Sequence, residues 1–440
     1  MIVNRLAVIG VLSAGVVAGQ ASAQVFSGDV QDVTRSQSGR FSVQSVTEAV
    51  DRISNARLPE ILPGYVCPGG AVLGAGCDFV TGTVDFRRVP MNFDYQLNSS
   101  FLRVQIPGLN NFEQTFRGTT RQESAQQFLD FLKTDKDFLR QLGKLLVAKS
   151  PADPLAGNPN SLQSSMIGGD FAAALAAASP FEDDEEQDRA TLFKPYKVAQ
   201  AGGGTPGMRG AMAVGNLTGG GITGAALKYQ DINANAMMLP LQYNVRSDIN
   251  PRQGFSIRLP LTYSAYSGSV AGAANLGFSY RYPITNRWII TPSVGYGVTG
   301  STDLGSLGSI VSTSVTSTLG LKFESFDMVV ANMVGYFRSL AVPGGGAYSY
   351  DPGIANVAFK NGVVLSRRVP LFGAQRSGQV YLFDTRTTGT ELFTEDWQEL
   401  GVTIGSRPRI NIARDYGSVS VGYLRSTAYK GATLQASYLF

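Results

Sequence analysis

From Phe255 onward, apolar and polar residues alternate with a period of two. Phe255, Ile257, Leu259, Leu261, Tyr263 and Ala265 alternate with Ser256, Arg258, Pro260, Thr262 and Ser264. Ala274, Leu276, Phe278, Tyr280 and Tyr282 alternate with Asn275, Gly277, Ser279 and Arg281. Trp288, Ile290, Pro292, Val294, Tyr296 and Val298 lie opposite Ile289, Thr291, Ser293, Gly295 and Gly297, and Val315, Leu319 and Leu321 opposite Ser312, Ser314, Thr316, Thr318 and Lys322. Side chains two apart share one face of a strand, so each run predicts a strand with one apolar and one polar face. The pattern places strands near 222–230, 236–246, 254–266, 272–282, 287–299, 309–323, 326–338, 354–366, 376–387, 397–407, 416–426 and 430–440. An even count suits a single-chain barrel.

A soluble sandwich also alternates, and its water-facing side is rich in long charged residues. Here the polar face is Ser, Thr, Gly and Asn with a few Arg, which fits a crowded lumen. Tyr, Trp and Phe near strand ends suit the two interfaces of a bilayer. With the faces exchanged, Arg258 and Arg281 would meet lipid at about 2–4 kcal/mol each near the midplane, falling to about 0–1 near an interface. The predicted fold is an all-β transmembrane barrel preceded by a smaller α+β domain.

The chain ends support export to a membrane. Arg5, the apolar stretch from Leu6 to Ala18 and the small residues Ala21, Ser22 and Ala23 have the order of a secretory signal, with cleavage before Gln24. That apolar core, at about 13 residues, is shorter than the roughly 20 a membrane helix needs. At the other end Ala432, Leu434, Ala436, Tyr438 and Phe440 share one strand face. A signal segment together with a last strand ending in Phe resembles Gram-negative outer-membrane β-barrel proteins. That resemblance implies outer-membrane lipid as surroundings, periplasmic chaperones as escorts, and Tyr438 and Phe440 as the signal read by the barrel-assembly machinery. The order of a leading domain, a linker and a twelve-stranded barrel resembles autotransporters in architecture. The leading domain departs from that family, having no solenoid repeat and a Cys pair.

The division expected is a signal peptide over 1–23, an α+β domain over 24–200, a Gly-rich linker over 201–221 and the barrel over 222–440. In the leading domain, Val84 to Ile106 predicts two strands turning at Asn98 and Ser99. Thr120 and Glu123 form a capping-box pattern, followed by apolar residues at helical spacing from Ala125 to Leu146 and a stop at Ser150 and Pro151. A second helix is expected from Ser161 to Ala178, kinked at Gly168 and Gly169. Cys67 and Cys77 bracket a Gly-rich loop, and in an exported chain they predict one disulfide.

Composition removes chemistry more than it adds it. The chain has no His, which closes the Ser-His-Asp and Cys-His mechanisms and His-ligated zinc. The run from Gly295 to Gly300 fits a dinucleotide fingerprint, yet a loop follows it where a helix is required. No enzyme activity, metal, cofactor or nucleic-acid partner is expected. The charge is distributed unevenly: the barrel half is net basic and the segment before it net acidic. Arg246, Arg258, Arg281 and Lys322 are expected to point into the lumen near the periplasmic mouth, where the acidic run 182–188 could narrow the pore. Three functions fit: a channel for small solutes with a periplasmic N-terminal domain, an autotransporter-like translocator of that domain, or a membrane anchor for it. No solute is named by the sequence.

Overall fold

The computed structural model describes residues 26–33, 36–43, 79–97, 99–177, 216–229, 232–246, 253–266, 269–301, 306–343, 350–371, 374–406 and 416–439, with a few isolated positions between 48 and 62. The signal segment, Cys67, Cys77, the acidic run 182–188 and Phe440 lie outside the described residues. Two units are built, one on each side of residue 150.

The first unit is an antiparallel sheet with two helices. Its strands are β1 (Phe26–Asp32), β2 (Gln37–Val43), β3 (Val80–Phe86), β4 (Val89–Tyr95), β5 (Leu102–Ile106) and β6 (Phe112–Phe116), in the order β2-β1-β3-β4-β5-β6. The stretch 84–106, expected to hold one hairpin at Asn98, instead turns first at Arg87 and Arg88, both with positive φ (55° and 73°). Helix α1 (Arg121–Thr134) starts where the capping pattern placed it: Thr120 accepts a hydrogen bond from the Glu123 amide at 3.0 Å. The Glu123 carboxylate reaches back to the Thr119 amide at 2.7 Å, and these hydrogen bonds from Thr119 hold its pKa below the usual carboxylate value.

The single long helix expected through to Leu146 is broken at Asp135. Its extended backbone ends α1, and its carboxylate accepts from the Phe138 amide at 2.8 Å to start α2 (Lys136–Lys149). The bend brings Phe131 and Phe138 together at 4.9 Å between ring centroids, with Phe138 4.8 Å from Phe112 of β6. A favourable cap and an aromatic cluster thus outweigh helix continuity.

The second unit is a closed antiparallel barrel of twelve strands. β7 (Asn216–Tyr229) begins inside the stretch read as a linker. β8 (Ile232–Leu239) and β9 (Gln242–Arg246) form one barrel strand interrupted at Pro240, and β10 (Gly254–Arg258) and β11 (Leu261–Tyr266) form one interrupted at Pro260. Proline lacks the N–H that the ladder needs. β12 (Ser269–Pro283), β13 (Trp288–Ser301), β14 (Ser306–Lys322), β15 (Asp327–Leu340), β16 (Ala355–Leu371), β17 (Ala374–Gly389), β18 (Asp396–Ser406), β19 (Tyr416–Ser426) and β20 (Lys430–Leu439) follow as a meander. β20 closes the barrel on β7, with Leu434 opposite Gly224. Closure leaves no unpaired edge, which a lipid-facing sheet requires.

The alternation keeps the faces read from the sequence. Phe255, Leu259, Leu261 and Tyr263 are exposed on the outside, while Ser256, Arg258 and Ser264 are buried inside. Leu276, Phe278 and Tyr280 face out, and Asn275, Ser279 and Arg281 face in. An apolar exterior this continuous needs lipid around it. Because the strand count is even, the start of β7 and the end of β20 lie at the same end of the barrel, called here the terminal end. The turns after β7, β11, β13, β15, β17 and β19 form the far end.

Candidate functional site: an occupied lumen

A third helix, α3 (Leu162–Ala177), lies inside the barrel. The second helix expected from the sequence therefore exists at that place in the chain, running unbroken through Gly168 and Gly169, but it packs against β12, β13, β14, β15 and β16. Its sequence explains the location. A helix that is apolar or small over most of its circumference needs cover on most of its sides, and Leu162, Met166, Ile167, Phe171, Ala173 and Ala174 are all buried while Ala172 is exposed. Leu162 and Met166 fit over Gly297 of β13, where a Cβ would come within 2.7 Å of Leu162 Cδ1. On the opposite side Gly168 has nothing within 4 Å of where a Cβ would stand.

Two buried charges fasten the helix. Asp170 accepts from Arg258 Nη2 at 2.5 Å and from Ser314 Oγ at 2.8 Å, so one carboxylate ties α3 to β10 and β14. The two charged side chains are 4% and 7% exposed, which removes nearly all screening by water. The next residue, Phe171, meets Phe383 edge to face, with centroids 5.2 Å apart. Lys360 stands over both rings and donates to Glu399 at 3.1 Å. Trp397 Nε1 donates to the same Glu399 oxygen at 3.1 Å.

The far end is closed by residues 150–161. Ser150, Ala152, Asp153, Leu155, Ala156, Asn158 and Ser161 are all buried there. Tyr429 donates to the Pro151 carbonyl, the Phe393 amide donates to Val147 O at 2.9 Å, and the Thr394 amide donates to Gly157 O at 3.1 Å. Burial pushes the Tyr429 phenol well above its usual pKa, so it stays protonated and able to donate. Arg87, at the β3–β4 turn of the first unit, donates to Asp153, and both are buried. The first unit is thereby seated on the far end, with α2 against residues 350–353 through Arg140 Nε to Asp351 O (3.4 Å) and with Lys149 paired to Glu391 at 3.1 Å. Toward the terminal end the lumen wall of β18, β19 and β20 carries Thr403, Ser418, Ser420, Ser437 and an exposed Gln435. That side is a polar vestibule.

Of the four basic residues expected in the lumen, Arg258 and Arg281 are buried inside it at 6% and 3% exposure. Lys322 is exposed at the end of β14, and Arg246 ends β9 opposite Gly254, itself opposite Arg281. Arg246 and Arg281 therefore flank Gly254 from the two neighbouring strands at one end, and the Arg246 side chain lies outside the described residues, as does that of Tyr438. Sequence reading missed Asp170 and Asp153. A signal for Asp170 was available: it is the one ionisable side chain between Pro154 and Phe181, in a helix whose other residues are all uncharged. A lone carboxylate in such surroundings requires a cationic partner.

No family model and no curated protein matches the sequence. Several solved barrels are similar in structure. The translocator domain of the autotransporter NalP from Neisseria meningitidis is 10% identical, with 63% of this chain and 95% of that chain covered and a TM-score of 0.44. The β domain of the Bordetella autotransporter BrkA is 12% identical, with 52% and 99% covered and a TM-score of 0.40. An outer membrane channel from Pseudomonas putida F1 is 11% identical, with 52% and 95% covered and a TM-score of 0.37.

Proposed function

We propose that this chain is an outer-membrane protein of translocator type, non-enzymatic, whose barrel holds its own N-terminal α+β unit on the outer surface of the cell. One observation carries the reading: the first unit sits at the far end, opposite both chain ends of the barrel, and the connection between them runs down the lumen as α3. A barrel inserted from the periplasm with an even number of strands keeps both its ends on that side without pulling a terminus across lipid. The far end then faces outward, together with everything docked on it. On this reading Tyr438 and Phe440 serve as the assembly signal, and the chain is escorted by periplasmic chaperones.

The alternative of a solute channel with a periplasmic domain fits less well. A buried helix, a buried ion pair and a closed far mouth oppose free diffusion, and a vestibule open at one end alone conducts nothing. Protease added to intact cells tests the proposal. Cleavage within residues 26–149 without permeabilising the outer membrane is expected, and full protection of that unit would overturn it. Liposomes carrying the full chain should not swell in sugar or amino-acid solutions, whereas swelling would restore the channel reading.

A further inference from the structure

The far rim carries a row of cations that the lumen does not use. Lys430, the first residue of β20, lies opposite Lys228 of β7 on one side and opposite Arg425 of β19 on the other. All three are exposed. They point outward, because each continues the face that carries Val421, Tyr423 and Leu434 on the barrel exterior. Three positive side chains thus stand on three adjacent strands, with neighbours about 4.7–4.9 Å apart along the hydrogen-bonding direction. Like charges directly opposite each other destabilise a sheet, and this sheet repeats the arrangement twice in succession.

The neighbouring groups do not neutralise the row. Beyond Arg425 the next position is Gln398 of β18, and beyond that Asp384 of β17. Asp384 is already engaged, with Oδ1 accepting from Gln398 at 2.9 Å and Oδ2 from Arg386 at 3.0 Å. Among the described residues no ion pair includes Lys228, Arg425 or Lys430, whereas Arg386, the next cation along the rim, has its own carboxylate.

Depth along the barrel axis says what could supply the missing charge. The row stands one pleat above the exposed ring of Tyr423, and Leu434 and Val421 lie below it. Aromatic rings mark the level where hydrocarbon gives way to head groups. A cation just above them stands at the depth of lipid phosphates, where juxtamembrane Lys and Arg attract anionic lipid.

We infer that Lys228, Arg425 and Lys430 form a binding site for the phosphate groups of anionic lipid in the leaflet around the far rim, for which lipid A is the probe. The inference rests on the membrane reading given above. A lipid bound there would neutralise the repulsion between β7, β20 and β19, the three strands at the closing seam.

The test uses the full chain folded in phosphatidylcholine vesicles titrated with lipid A. The lipid A retained per folded barrel is counted by mass spectrometry after mild detergent extraction. K228Q/R425Q/K430Q should bind about a hundredfold more weakly, and each single substitution about fivefold more weakly. R287Q/K322Q/R367Q, at the opposite rim, should bind like the parent protein. Equal loss in both triple variants, or no loss in the far-rim variants, overturns the site. Displacement of the lipid by millimolar inorganic phosphate also overturns it, by making the row a site for free phosphate. Heat-modifiable gel migration is followed in every sample: if the parent chain never shows it, the membrane reading itself fails, while a folded parent without lipid A removes only the site.

Discussion

Replacing Asp170 with Ala removes the carboxylate that ties α3 to β10 and β14. Arg258 is then left buried without its counter-ion, and Ser314 loses its acceptor. Breaking a buried pair from one side costs about 3–5 kcal/mol, most of it from the stranded charge. Against this stands the apolar contact of Leu162, Met166, Ile167 and Phe171, all at most 3% exposed. At about 1.5–3 kcal/mol each, those four side chains contribute roughly 6–12 kcal/mol. The apolar term is larger, so the helix should remain in the lumen most of the time. What changes is how often it leaves: a loss of 3–5 kcal/mol multiplies the open population by about 10²–10³·⁵. In planar bilayers the parent protein should be silent, and Asp170→Ala should show brief openings on a closed baseline. Hydrogen exchange across 162–177 should accelerate by a similar factor. Asp170→Leu combined with Arg258→Met should restore silence, because an apolar pair of similar volume replaces a buried ion pair at little cost. Conductance and exchange in Asp170→Ala equal to those of the parent would refute the reasoning, and so would a double variant as leaky as the single.

Other expectations concern the first unit and its seat. Arg87→Met strands Asp153 at the far mouth and should cost about 3–5 kcal/mol, seen as new protease cleavage within 150–160. Asp135→Ala removes the cap of α2 and should cost about 1 kcal/mol, measured as faster exchange in the first turn of α2 with α1 protection retained. Asp94 has a pKa raised chiefly by burial, with Arg103 opposing and Glu113 adding. Its folded pKa therefore lies above its unfolded one, and the ionised form weakens the fold above that range. Asp94→Asn should slow exchange in β3–β5 at pH 7, and the difference from the parent should shrink as pH falls through the folded pKa. A difference that grows on acidification would reverse the sign argued here. Gly168→Ala should leave α3 protection unchanged, whereas Gly297→Ala, whose Cβ would press on Leu162 and Met166, should raise exchange across the helix.

What could be read from the chain follows from how local each signal is. The twelve strands and the faces of Ser256, Arg258, Ser279 and Arg281 were legible because a period of two needs only neighbours two residues apart. The start of the helical run at Thr120 was legible for the same reason, since its partner Glu123 lies in the next turn. The break at Asp135 was not, because continuity and interruption differ there by one cap and by rings contributed from β6. The sequence placed a helix from Ser161 to Ala178 and left open what it packs against.

Only the closed structure decided the rest. Arg258 lies 88 residues from Asp170 and Tyr429 lies 278 residues from Pro151, separations over which no pattern in the chain fixes a partner. Alternation specifies which face of a strand meets lipid, but it is indifferent to the two ends of the cylinder. The end on which the N-terminal unit rests was therefore set by three-dimensional contacts: a helix with one charge found a lumen that covers most of its surface, and the single carboxylate it carries fixes it against Arg258 and Ser314.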